Sequence, residues 1–168
     1  VVLDTRRRRL YLARDRFGEK PLYYATRPGL FAFASELSAL PCHREIAASP
    51  SPLALRKLFA YGYLPAPHAL YEGTAKLPGG HAMTVDLDTL AAEITPYWRF
   101  VLEPDDALAA RGDEALAEEL RALLVTATER RLVSDVAIGV FLSGGLDSSM
   151  VLAAAGQRRP PGDIATFT

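Results

Sequence analysis

Apolar and polar positions change rhythm twice along this chain. Over residues 1–40, short apolar runs alternate with polar turns. Val1-Val2-Leu3 and Leu10-Tyr11-Leu12-Ala13 flank Asp4-Thr5-Arg6-Arg7-Arg8-Arg9, and Phe31-Ala32-Phe33-Ala34 follows the turn pair Pro28-Gly29. That rhythm predicts β-hairpins. Over residues 41–100, Pro50, Pro52, Pro65, Pro67, Pro78 and Pro96 break the chain into short pieces. A helix is predicted from Leu53 to Tyr61, because Ser51-Pro52 offers a helix start and Pro65-Ala66-Pro67 a stop. His81–Leu87 alternates like an edge strand after the turn Leu77-Pro78-Gly79-Gly80. The composition here is aromatic and proline-rich, which predicts a structured connector instead of a flexible Gly/Ser linker.

The third rhythm is helical. Leu116, Leu120, Leu123, Leu124 and Ala127 recur at helical spacing within residues 113–134. Asp113 is the expected N-cap, and Arg130 and Arg131 near the far end suit the helix dipole. Val136–Leu142 is continuously apolar, as expected of a parallel strand buried on both faces. A small-residue helix through Met150–Ala155, a loop over Gly156–Gly162 and a strand over Ile164–Thr168 complete a strand-helix-strand order. The fold class expected is therefore α+β and α/β: a β-rich first part followed by the opening of a parallel sheet. Both ends read as cut through strands, so an internal piece of a longer protein is expected.

The 168 residues carry 19 Lys and Arg against 20 Asp and Glu, a formal net charge of −1, and 49% are hydrophobic. Near-neutrality argues against a nucleic-acid surface, for which a basic excess is expected. No apolar run approaches the roughly 20 residues that span a bilayer, and no signal-peptide pattern opens the chain. A single cysteine forms no internal disulfide, which points to a reducing, cytoplasmic setting. His43, His68 and His81 show no metal-ligand spacing with one another or with Cys42. Adjacent Cys42 and His43 point to different sides, so a catalytic dyad is not expected. The Arg6–Arg9 run reads as a solvated hairpin tip, Trp98 as a packing anchor, and Arg158-Arg159 as cations beside a helix end.

The candidate chemistry lies in Ser143-Gly144-Gly145-Leu146-Asp147-Ser148-Ser149, between the apolar strand and the small-residue helix. A glycine pair lets the backbone approach a ligand that a Cβ would block. The helix start offers unpaired N–H groups and a positive dipole end, which suit an anion. The serines add hydroxyl donors, and Asp147 supplies a hard carboxylate suited to Mg²⁺. No lysine lies in the loop and no Gly-Lys-Ser/Thr closes it, so it is not a Walker loop. The competing account is a Ser/Gly-rich turn that only caps a helix. The loop resembles the SGGxDS loop of the ATP pyrophosphatase superfamily, whose members adenylate a substrate and release pyrophosphate.

Arg14-Asp15-Arg16-Phe17-Gly18-Glu19-Lys20-Pro21-Leu22-Tyr23-Tyr24 alone reads as a strand-turn-strand corner with an Arg–Asp pair, in which Gly18 takes a conformation other residues resist. Joined with Phe33-Ala34-Ser35-Glu36-Leu37-Ser38-Ala39-Leu40 and the later loop, it is similar to the glutamine-hydrolysing asparagine synthetase family. Tyr61-Gly62-Tyr63-Leu64-Pro65-Ala66-Pro67 and Lys76-Leu77-Pro78-Gly79-Gly80-His81 look like that family's interdomain region, so the likeness covers essentially the whole chain.

The resemblance implies a class II amidotransferase divided as follows. Residues 1–48 would end an N-terminal-nucleophile (Ntn-hydrolase-type) glutaminase domain, 49–112 would be the connector, and 113–168 would open the ATP-dependent synthetase domain. Its implied substrates are glutamine, aspartate and ATP with Mg²⁺, with no nucleic acid or membrane partner and a homodimer left open. By position, Leu142 and Ser143 correspond to nucleotide contacts, and Ser143, Gly144, Gly145, Ser148 and Ser149 to the pyrophosphate cradle. Asp147 corresponds to the Mg²⁺-linked aspartate. The family's N-terminal cysteine nucleophile has no counterpart, since the sequence opens on Val1, and Cys42 has no free α-amine to act as base. No complete catalytic set is therefore expected in these residues. Two rivals stand beside this reading. One is a paralogous amidotransferase acting on a carboxylate of a peptide or polysaccharide precursor, or a β-lactam-forming relative. The other is a non-catalytic ATP-binding or interaction module.

Overall fold

The computed structural model describes residues 1–168, the side chain of Pro161 excepted. The chain divides into two units, Val1–Val101 and Leu102–Thr168.

In the first unit, strands β1 (Val2–Asp4), β2 (Arg9–Ala13), β6 (His81–Asp86) and β7 (Ala92–Pro96) form an antiparallel sheet in the order β1-β2-β6-β7. A second sheet holds β4 (Leu30–Ala34), β3 (Tyr23–Arg27) and β5 (Thr74–Lys76), in that order and again antiparallel. Both expected hairpins form, β1 with β2 and β3 with β4. The chain then crosses from one sheet to the other through Arg14–Leu22.

The alternation in β2 and β6 explains how the two sheets meet. Leu12 lies opposite Met83, and Leu10 opposite Val85, so one face of the first sheet is apolar. Leu12, Leu77, Met83 and Val85 are buried, with Leu10, Leu22, Tyr24 and Phe31 packed against them. Tyr24 and Phe31 belong to the second sheet, which makes this the layer between the sheets. The other face of the second sheet buries Ala25 against Leu40 and Ile46. Leu40 lies in a 3₁₀ turn, Leu37–Cys42, which follows β4.

Several expectations are corrected here. β6 is an interior strand, not an edge strand: it bonds to both β2 and β7. Its alternation arises because an antiparallel sheet with one wet face alternates wherever the strand lies in it. Helix α1 (Pro52–Tyr61) forms behind Ser51, whose hydroxyl accepts from the Ala54 amide at 3.4 Å. It ends at Gly62, in the left-handed conformation with its N–H bonded to Leu58 O, before Pro65 is reached. The stretch read as a connector supplies β5, β6 and β7 to the sheets of the first unit, and the division between units falls after Val101.

The second unit contains α2 (Asp106–Ala109), α3 (Asp113–Arg131), β8 (Gly139–Phe141), α4 (Leu146–Gly156) and β9 (Ala165–Phe167). β8 and β9 pair in parallel around α4, so the expected strand-helix-strand order is present. The N-cap of α3 is Gly112, at φ 80°; Asp113 stands one residue later, in the first turn. The proposed Leu stripe on α3 is not a buried face. Thr128 is buried and Leu124 and Val125 half-buried, whereas Leu120 and Leu123 are 65% and 60% exposed. β8 is also shorter and more exposed than expected, with Val136 outside it and Phe141 84% exposed. Two paired strands and three helices do not supply the cover on both faces that a fully apolar strand presumes.

Candidate functional site

The loop Ser143–Ser149 lies at the carboxyl end of β8 and at the start of α4, where an open parallel sheet receives its ligand. Leu142 anchors the strand end, its N–H bonding Phe167 O at 2.7 Å. The chain then turns at Gly144, at φ 78°, a value that L side chains resist. A Cβ added at Gly144 would meet nothing within 4 Å. Gly145 is the N-cap of α4 and is extended, with no side chain to cap the helix. The first bond of the helix ladder runs from Ser149 N to Gly145 O at 3.2 Å. The N–H groups of Leu146, Asp147 and Ser148 therefore lie ahead of the ladder, directed out of the helix start.

The serines shape this turn. Ser149 Oγ donates to Gly145 O at 2.8 Å, and Ser148 Oγ to the same carbonyl at 3.2 Å. Ser143 Oγ shares a 3.1 Å hydrogen bond with Ser148 Oγ and accepts a long one, 3.4 Å, from Gly145 N. Asp147 lies exposed in the first turn of α4. Leu142, Ser143, Gly144, Gly145, Asp147, Ser148 and Ser149 lie on one short stretch from the end of β8 into the first turn of α4. What sequence reasoning did not single out is the Leu146 amide, which any residue type would supply.

These residues fit the anion and the metal that the resemblance names. The loop offers backbone donors, hydroxyls and unfilled space at Gly144. Among the described residues, no three His, Cys, Asp or Glu side chains gather as a ready-made metal centre. One carboxylate beside phosphates is nonetheless an ordinary Mg²⁺ arrangement, since this ion keeps waters and shares its shell with the substrate. The Arg158-Arg159 pair is engaged elsewhere, Arg158 with Glu129 at 3.2 Å and Arg159 with Leu132 O at 2.7 Å.

In the first unit, the Arg14–Tyr24 motif is a corner built on main-chain contacts. The expected Arg14–Asp15 pair is replaced by a division of labour. The Arg14 guanidinium donates to the carbonyls of Lys20, Leu77 and Gly18 at 2.8, 2.7 and 2.5 Å. The Asp15 carboxylate accepts from the amides of Glu19 and Lys20 at 2.9 and 3.0 Å. The Lys20 amide, followed by that of Glu19, holds the Asp15 carboxyl below the ordinary aspartate range. Gly18 sits at φ 69°, and an added Cβ would lie 2.9 Å from the Arg14 guanidinium carbon.

The remaining candidates take structural places. Arg8 pairs with Asp88 at 2.6 Å and Arg7 with Asp4 at 3.9 Å, so the arginine tip is partly balanced by acids. The Cys42 thiol turns to Ser38 O at 3.9 Å, while His43 Nδ1 accepts from the Glu45 amide at 3.3 Å. His68 contacts Lys57 Nζ, and His81 Nδ1 lies 2.7 Å from Gly79 O. Among the described residues, no helix is long and apolar enough to cross a membrane.

One chain thus carries a two-sheet unit closed by the Arg14 corner and a parallel strand-helix-strand unit with a glycine turn between its first strand and its helix. Residues 1–98 match the glutamine amidotransferase domain family, and residues 119–168 match asparagine synthase. The chain belongs to the glutamine amidotransferase domain family, in the arrangement found in glutamine-hydrolysing asparagine synthetases.

A putative asparagine synthetase [glutamine-hydrolyzing] 2 of Methanocaldococcus jannaschii is 33% identical over 99% of this chain and 32% of its own length. Asparagine synthetase [glutamine-hydrolyzing] 3 of Bacillus subtilis is 36% identical over 100% of this chain and 27% of its own length. Amidase chyE of Penicillium rubens is 32% identical over 90% of this chain and 22% of its own length. The chain thus spans between about a fifth and a third of the length of these relatives.

Proposed function

We propose that this chain is part of a glutamine-dependent asparagine synthetase. In this reading ATP adenylates the β-carboxylate of aspartate, and ammonia drawn from glutamine displaces AMP to give asparagine. Adenylation is needed because a carboxylate is a poor electrophile at neutral pH. The observation that carries the reading is the turn at Gly144, open where a Cβ would stand and followed by the outward amides of α4. The order of the two matched segments supports it.

Under this proposal Leu142 and Ser143 contact the nucleotide at the strand end. The main chain of Gly144 and Gly145 and the hydroxyls of Ser143, Ser148 and Ser149 receive the pyrophosphate portion. These hydroxyls already lie within hydrogen-bond distance of Gly145 O or of one another, so the turn is pre-shaped before an anion arrives. Asp147 would hold Mg²⁺, which when bound neutralises charge on the departing pyrophosphate. Residues 1–48 would end the glutaminase domain, now with β5, β6 and β7 joined to the same sheets. The implied setting is cytoplasmic, and a homodimer remains compatible with it.

A second acceptor is favoured by one observation: a relative named as an amidase matches 90% of the chain at 32% identity. On that reading the ATP chemistry is kept and another carboxylate takes the nitrogen. The test uses the full-length protein with ATP, Mg²⁺, glutamine and aspartate. Asparagine and pyrophosphate in equal amounts are expected, and Asp147→Asn lowers ATP–pyrophosphate exchange at least 100-fold while glutamine hydrolysis is spared. Exchange that depends on another added carboxylate and not on aspartate, with no asparagine formed, favours the second acceptor. Undiminished exchange in Asp147→Asn overturns the role of that carboxylate, and no exchange with any carboxylate leaves the non-catalytic module.

A further inference from the structure

At the start of α4, more donors reach the Gly145 carbonyl than it has places for. Three lie within hydrogen-bond distance of Gly145 O: the Ser149 amide at 3.2 Å, the Ser149 hydroxyl at 2.8 Å and the Ser148 hydroxyl at 3.2 Å. A carbonyl oxygen has two lone pairs, and each hydroxyl has one proton to give. One of the three donors is therefore surplus.

The neighbours of each hydroxyl show which one. Ser148 Oγ makes the longer of the two side-chain bonds and also lies 3.1 Å from Ser143 Oγ, beside the Gly144 turn. Ser149 Oγ makes the shorter bond, reaching back to the carbonyl four residues before it. When the Ser148 proton leaves Gly145 O it strands no acceptor, because the Ser149 amide and hydroxyl still fill both lone pairs. Without the Ser149 hydroxyl, the same departure leaves that carbonyl with the single 3.2 Å amide bond. An anion brings acceptors and no donors, so it draws most readily on the proton whose release costs least.

We propose that Ser149 is a positioning residue for pyrophosphate and not a contact of it: its hydroxyl holds Gly145 O so that Ser148 can turn its own hydroxyl to the anion. Ser149 thereby leaves the group of hydroxyls that receive pyrophosphate in the reading above and joins the framework behind them. The role rests on that reading, since it needs pyrophosphate in the turn. Its signature is dependence on Ser148. A direct contact contributes whether or not Ser148 is present, and so does a bond that only steadies the helix. A residue acting through the Ser148 hydroxyl contributes nothing once that hydroxyl is gone.

The test measures equilibrium binding of labelled inorganic pyrophosphate with Mg²⁺ to the full-length protein, as wild type, Ser149→Ala, Ser149→Thr, Ser148→Ala and the double alanine variant. Ser149→Ala should weaken binding about three- to tenfold, the worth of one hydrogen bond. Ser148→Ala should weaken it about 10- to 100-fold, since it removes a bond to a charged group. The double variant should bind within about twofold of Ser148→Ala, because the two effects are one. Ser149→Thr should bind like wild type, since a threonine hydroxyl also bonds the carbonyl four residues back. A further loss in the double variant as large as that in Ser149→Ala overturns the role, whether direct contact or helix stability causes it. Wild-type binding in Ser149→Ala overturns it too, as does weakened binding in Ser149→Thr. If wild type takes up no pyrophosphate, the turn is not a pyrophosphate site and the role of Ser149 falls with that reading; additive losses in a protein that binds overturn Ser149 alone.

Discussion

Replacing Gly144 by alanine separates the anion cradle from a helix-capping turn, because the two accounts give different magnitudes for one methyl group. Gly144 stands at φ 78°, and an added Cβ meets nothing within 4 Å. The fold therefore loses only the cost of a left-handed backbone for an L residue, about 1–2 kcal/mol. Native domains typically hold about 5–15 kcal/mol, so the second unit stays folded. If the turn only caps α4, activity should survive with it. If the space beside Gly144 receives phosphate oxygens, the methyl stands where they must sit. A misplacement of about 1 Å at a reacting group lowers rate about 100-fold. That corresponds to about 2.7 kcal/mol at the transition state. Gly62→Ala is the matched control: it also has φ near this value, at 75°, and open space around the added carbon, but it ends α1 in the first unit. ATP–pyrophosphate exchange and urea midpoints should be measured for both variants in the full-length protein. Similar small losses of stability are expected in both, with exchange lost about 100-fold in Gly144→Ala alone. Exchange within threefold of wild type in Gly144→Ala, or an equal loss in Gly62→Ala, refutes the cradle.

Two further predictions concern the corner in the first unit. Gly80→Ala should lower stability by about 1–3 kcal/mol more than Gly29→Ala, since both have positive φ but only Gly80 has Trp98 against the added carbon. Trp98, the only tryptophan of the 168 residues, reports the transition by fluorescence, and equal urea midpoints would contradict the contact. Asp15 has its carboxyl held low by the amides of Lys20 and Glu19, so its native pKa lies below its unfolded one. Its contribution is then present above the unfolded value, near 4, and is lost as pH falls through the native value. Asp15→Asn should flatten the acid limb of the stability profile; an unaltered limb would show that the amide bonds to Asp15 do not matter.

The strands of the first unit were legible because their alternation is strong and their turns carry Gly or Pro, as at Pro28-Gly29. What alternation cannot state is a strand's place in the sheet. β6 reads as an edge strand by pattern and is interior by pairing, because both its neighbours, Leu12 on β2 and Ile94 on β7, lie beside the same Met83. Proline spacing misled similarly. Pro65 and Pro67 looked like the stop for α1, but Gly62 reaches the left-handed region first and closes the helix there. In the second unit, apolar runs were read as buried although burial is a property of the layers around them. Leu120, Leu123 and Phe141 keep the residue types of covered positions while facing open surface. The turn at Gly144 was legible because its main-chain geometry is set by glycines, and glycines are visible in a sequence.

The Arg14 corner was legible as a motif but not as a mechanism, and the reason is physical. A sequence shows Arg14 next to Asp15, and adjacency suggests an ion pair. In the fold each charge instead serves the backbone: three carbonyls for the arginine, two amides for the aspartate. An exposed ion pair contributes little, about 0–1 kcal/mol, whereas a charged group bonded to a peptide group fixes the path of the chain. One of those carbonyls belongs to Leu77, which follows β5, and the backbone of the same corner receives Gly80 from the approach to β6 and Tyr97 from just past β7. The motif therefore joins parts of the chain that lie far apart in sequence. Its residues are spaced for backbone capture, which is why Lys would not replace Arg14: an ammonium lacks the planar fork that reaches Lys20, Leu77 and Gly18 together.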